Sequence, residues 1–90
     1  MSESTKVTPI PATDGAVEKV LAARGLAGAE LQAYLAQLHV HKGIAPNCEQ
    51  QDRECVTPGG LAGMKWRIVC KDDEGHTYVG VWSRCTAPSR

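Results

Sequence analysis

The chain has no phenylalanine, only two tryptophans and two tyrosines, and no net charge. Leu, Ile and Val number seventeen of its 90 residues, and eleven alanines supply much of the remaining apolar content. A domain this short buries little apolar surface and often needs a covalent or metal staple. There is no run of about 18 apolar residues, which excludes a membrane-spanning helix and argues against a membrane partner. Ten basic and ten acidic residues cancel, so bulk electrostatics do not hold this chain to nucleic acid. The opening MSESTKVTPIPATDG has neither a basic n-region nor an apolar h-region and is no secretory signal as written. It reads as a cytoplasmic chain, or as a mature form carrying an added Met.

The signatures of catalysis are also missing. The sequence holds no G-x-G-x-x-G, no P-loop and no H-E-x-x-H. Its adjacent carboxylates, Asp72, Asp73 and Glu74, read as solvated turn formers. No histidine is aligned with a thiol, as a nucleophilic cysteine requires. The expectation is that the protein is not an enzyme.

What is present points to an α+β fold. Residues 1–12, rich in Ser, Thr and Pro, read as a flexible N-terminal tail, and 13–90 as one small domain. Val17, Val20 and Leu21 repeat at helical spacing, with Thr13 or Asp14 as cap and Gly25 as stop. Leu31, Tyr34, Leu35 and Leu38 mark a second helix from Ala27 or Gly28 to Lys42, ended by Gly43. The two make a helical hairpin. A helix-turn-helix reading fails because the second helix offers a DNA groove no Arg or Lys before Lys42.

Residues 43–63 lack periodicity and read as a loop, with an added strand conceivable around Cys55-Val56-Thr57. The last third reads as a β-hairpin, residues 65–71 and 76–83 flanking the turn Asp72-Asp73-Glu74-Gly75. A three-residue loop ending on a left-handed Gly75 sets Cys70 opposite Tyr78 and Trp66 opposite Trp82, an aromatic face for the helices. The competing four-residue loop puts Lys65, Arg67, Tyr78 and Trp82 on one outer face. The predicted architecture is thus a helical hairpin packed on a C-terminal β-hairpin or small antiparallel sheet, with a cysteine-stapled loop between.

Cys48, Cys55, Cys70 and Cys85 are the candidate staple, as two disulfides or as metal ligands, with reduced and partly buried thiols as the alternative in a chain without a signal peptide. Three disulfide connectivities exist; Cys48–Cys55 would close a small loop, whereas Cys55–Cys85 or Cys48–Cys70 would pin the long loop to the hairpin. The spacing lacks the C-x2–4-C knuckle of zinc sites, so zinc is the weaker alternative, with His41 as a further ligand. No other cofactor is implied.

With no catalytic constellation and no charge excess, the leading expectation is a non-catalytic module that binds and modulates or inhibits a larger protein. Its surface is assigned to the hairpin residues Lys65, Arg67 and Arg84 and to Glu49, Asp52 and Glu54 of the acidic loop. The alternative is a zinc-bound or disulfide-stapled module binding nucleic acid with the basic hairpin.

Overall fold

The computed structural model describes residues 5–40 and 47–87. In chain order it contains β1 (Thr5–Ile10), α1 (Ala16–Ala23), α2 (Gly28–Gln37), β2 (Asn47–Val56), β3 (Ala62–Lys71) and β4 (Thr77–Val79). The strands form one antiparallel sheet in the order β1-β2-β3-β4. The helices pack on one face of it. Ile10, Cys48, Ile68 and Cys70 from the sheet bury against Val17, Leu21, Tyr34, Leu35 and Leu38, with Trp66 and Val20 at the margin. The α+β architecture expected from the sequence is therefore present, with a four-stranded sheet in place of a lone hairpin.

Both helices end in the same way. Gly25, at φ 95°, stops α1, and the backbone bonds Gly25 N–H to Ala22 O and Leu26 N–H to Leu21 O close a Schellman motif. In α2 the equivalent residue is His39, at φ 55°. Its N–H bonds Ala36 O and that of Val40 bonds Leu35 O. This corrects the expected run to Lys42, because a left-handed His39 ends the helical ladder and tucks Val40 back onto Leu35. Gly43 lies outside the described residues. At the other end of α1 the cap is Gly15, without a side-chain hydrogen bond; Thr13 instead offers its carbonyl to Ala16 N–H.

Two further expectations are revised. Thr5–Ile10, read as tail, is an edge strand paired to β2 from Thr5↔Arg53 to Ile10↔Cys48. Ile10 at its inner end is buried, which anchors a strand whose other residues are polar or half-exposed. The middle of the expected loop, Asn47–Val56, is β2 itself, paired to β3 over its whole length from Asn47↔Lys71 to Val56↔Ala62. The extended segment anticipated near Cys55 is the end of that strand.

The β3–β4 turn follows the three-residue reading. Gly75 has φ 89°, Asp72 N–H bonds His76 O, and Cys70 pairs with Tyr78. Trp66, however, does not face Trp82. Beyond Val79 the ladder is interrupted by α2: the Tyr34 hydroxyl donates to Val81 O at 2.9 Å and accepts from Ile68 N–H at 3.1 Å. Gln37 Oε1 accepts from Val81 N–H. The chain rejoins β3 out of step, with Ser83 N–H on Trp66 O and Thr86 paired to Met64. That slip turns Trp82 to the opposite face of the sheet.

Burial pushes the Tyr34 hydroxyl above its ordinary pKa of 10.0, against the Ile68 hydrogen bond and the nearby Arg67 charge, which pull it down. The unfolded chain ionises this tyrosine first, so stability should fall as pH climbs past about 10. Tyr34→Phe should cost about 1–3 kcal/mol at neutral pH by stranding Ile68 N–H and Val81 C=O. It should also flatten the alkaline fall, as urea unfolding at stepped pH will show. An unchanged alkaline fall in the variant would contradict this role.

Candidate functional site

Strand pairing sorts the polar residues of β2 and β3 onto two faces. Because partners across an antiparallel ladder share a face and neighbours alternate, Gln50, Asp52 and Glu54 lie on the helix side with Ile68, Trp66 and Met64. Glu49, Gln51, Arg53 and Cys55 lie on the other side with Val69, Arg67, Lys65 and Gly63. None of the described helices covers that second face.

At its centre stands Trp82. The Arg67 guanidinium carbon lies 4.3 Å from the ring centroid, Lys65 Nζ 4.9 Å and the Arg53 guanidinium carbon 5.2 Å. Each distance is within cation–π range. The cations are held in place by their neighbours. Arg67 Nε donates to Gln51 Oε1 at 2.7 Å, and Gln51 Nε2 donates in turn to Glu49 Oε2 at 2.8 Å. Arg53 Nε donates to Thr5 Oγ1 at 3.0 Å, so β1 positions one of the three. The Trp82 ring thus lies beside three cations, two of which, Arg53 and Arg67, are hydrogen-bonded to neighbouring side chains.

The residues assigned from sequence divide accordingly. Lys65 and Arg67 are in this cluster, and Glu49 supports it through Gln51. Asp52 faces the helices, where Arg24 grips it at 3.1 Å while also donating to Gln50. Arg24 also lies 5.3 Å from the Trp66 ring centroid, giving α1 a polar tie to the sheet. Glu54 is on the face of Asp52 and exposed, and Arg84 is exposed on the segment after Trp82. The acidic stretch is therefore a two-sided strand. Tyr78, grouped with Trp82 in both hairpin registers, instead stacks on His39 at 4.1 Å.

Sequence reasoning missed Arg53, Gln51 and Arg24. The run Glu49-Gln50-Gln51-Asp52-Arg53-Glu54 is polar on both faces. It shows no period-2 hydrophobic signal to announce a strand and so to pair Arg53 with Lys65.

All four cysteines are in disulfides, Cys48–Cys70 and Cys55–Cys85. In this oxidised form none offers zinc a thiolate; His41 lies outside the described residues. Ligand atoms of Asp72, Glu74 and His76 lie within 4.8 Å of one another. The Asp72 carboxylate there accepts from Glu74 N–H, His76 N–H and the Tyr78 hydroxyl, and sits 3.1 Å from the His76 ring. Desolvation opposes its charge, but these hydrogen bonds outweigh that and hold the carboxyl below its ordinary pKa. This is a turn-forming arrangement.

No family model, curated protein or solved structure matches the chain.

Proposed function

We propose that this protein is a non-catalytic interaction module that binds a larger protein, and so modulates or inhibits it, through the sheet face centred on Trp82. The observation that carries the reading is the Trp82 ring held among Lys65, Arg67 and Arg53 on a face that none of the described helices covers. Trp and Arg are the residues that most often dominate binding energy at protein interfaces. One feature favours protein over nucleic acid. The face presents one aromatic ring near the cations, whereas single-stranded nucleic acid binders stack successive bases on several.

The test compares retention on immobilised poly-glutamate with retention on an immobilised single-stranded oligo-dT. The wild-type chain should be held by the acidic polypeptide, and Lys65→Glu with Arg67→Glu should abolish retention. Trp82→Ala should weaken it by about 2 kcal/mol, roughly thirtyfold. Lys19→Glu, an exposed change on α1, should have no effect. Retention on oligo-dT alone, lost steeply with salt, would replace this reading with the nucleic-acid alternative.

A further inference from the structure

We propose that the Cys55–Cys85 disulfide is a redox latch on the Trp82 face, opened by a thiol reductant while Cys48–Cys70 stays closed. The consequence for binding rests on the interaction reading above; the latch itself does not.

The two disulfides do different work. Cys48 and Cys70 are register partners on β2 and β3, strands that remain paired on both sides of the bond. Their side chains are 7% and 2% exposed. Cys55 and Cys85 are half-exposed, and they join β2 to the segment after β4, passing beside β3 at Gly63. A Cβ at Gly63 would stand 3.1 Å from Cys85 Sγ and 2.7 Å from Thr86 O. Glycine therefore admits the bond at this crossing.

The latched segment is the one that carries Trp82. Regular pairing of β4 stops at Val79. Beyond it the segment is tied by Gly80 N–H to Ile68 O, Val81 to Gln37 and to the Tyr34 hydroxyl, Ser83 N–H to Trp66 O with Trp66 N–H to Ser83 Oγ, and the Met64–Thr86 bridge. The Cys55–Cys85 bond closes the far end of this irregular set. Residues 81–87, outside the regular ladder and none of them fully buried, open more readily than the paired strands, so losing the covalent tie should release Trp82 from Lys65, Arg67 and Arg53.

Exchange requires a thiolate to reach a sulfur, which favours the less buried pair, Cys55–Cys85. One thiolate of a dithiol attacks Cys55 or Cys85 and forms a mixed disulfide, expelling the other cysteine as thiolate. The second thiol of the reductant then displaces the remaining cysteine. Cys55 and Cys85 gain two electrons and two protons in all, and the dithiol leaves as its own disulfide.

The experiment uses the full chain with Trp66→Phe, so that Trp82 is the sole tryptophan. It is treated with dithiothreitol, quenched with an alkylating agent at intervals and mapped by mass. Cys55 and Cys85 should be alkylated about tenfold or more ahead of Cys48 and Cys70. Trp82 emission should shift to the red on the same time course, with far-ultraviolet circular dichroism largely retained. Simultaneous opening of both pairs, earlier opening of Cys48–Cys70, or unmoved Trp82 emission after Cys55 and Cys85 are alkylated would overturn the proposal.

Cys55→Ser with Cys85→Ser, in the same background, should show the red-shifted emission without reductant, and emission like that of the latched chain would also overturn it. Should that variant not fold, the time course decides alone. No partner enters these readouts. Failure to bind poly-glutamate therefore sinks the interaction reading and spares the latch, while an unmoved Trp82 does the reverse.

Discussion

Gly80→Ala should destabilise the protein by about 3 kcal/mol, although an alanine there strains no backbone angle. Gly80 is buried and is not among the glycines with positive φ. By backbone entropy alone, alanine would stabilise by about 0.4–1 kcal/mol. The contact decides the sign. A Cβ at this position would stand 2.5 Å from Cε1, Cζ and Oη of Tyr34, and Tyr34 has little room to yield. It is 6% exposed, its ring packs 5.7 Å from that of Trp66, and its hydroxyl bridges Ile68 and Val81.

Overpacking of this kind costs about 1–3 kcal/mol, and breaking the hydroxyl bridge strands the buried Ile68 N–H for about 1–3 kcal/mol more. The check is urea unfolding of Gly80→Ala, Tyr34→Leu and the double variant. Leu at 34 removes the obstructing hydroxyl and ring edge, so the double variant should lose less than the sum of the singles. Gly80→Ala within about 0.5 kcal/mol of wild type would mean that Tyr34 moves aside, which its packing opposes.

The same tyrosine explains where sequence and structure part. Val17, Leu21, Leu31, Leu35 and Ile68 announce their places because the hydrophobic period matches the element. The Asp73-Glu74-Gly75 loop was legible because its glycine satisfies a known turn geometry. The face of Trp82 was not legible, since it depends on the Tyr34 hydroxyl and the Gln37 amide taking ladder positions from another element. Local alternation carries no trace of such an insertion.

The edge strand Thr5–Ile10 was hidden for a related reason. Pro9 and the surrounding Thr residues resemble tail composition, and only Ile10 reports the buried end. Two of the three cations, Lys65 and Arg67, could be read from the hairpin. Arg53 and Gln51 could not, because their strand is polar on both sides and is defined by its neighbours.

Replacing Cys48 and Cys70 together with alanine should cost at least about 3 kcal/mol and bring the chain close to its unfolding threshold. The bond closes a loop of sequence separation 22, for which the chain-entropy estimate is about 3 kcal/mol. The sulfurs add packing, since both cysteines belong to the buried cluster with Ile10, Leu21 and Ile68. A domain of this length has only roughly 5–10 kcal/mol to lose. The pair also sits where β1, β2 and β3 meet: Ile10 is the register partner of Cys48, and Cys48 that of Cys70. Loosening this point should free the edge strand as well, and amide exchange should report it as faster exchange across Thr5–Ile10. Removal of Cys55–Cys85 should by contrast leave β1 exchange largely unchanged, because Cys55 lies beyond the β2 residues paired to β1 and its bond runs away from that strand, to the segment after β4. Urea midpoints and exchange rates measured on the two double variants therefore separate a core staple from a peripheral one. A loss below about 1 kcal/mol on removing Cys48–Cys70, or β1 exchange that responds equally to either removal, would show that the core does not depend on this bond.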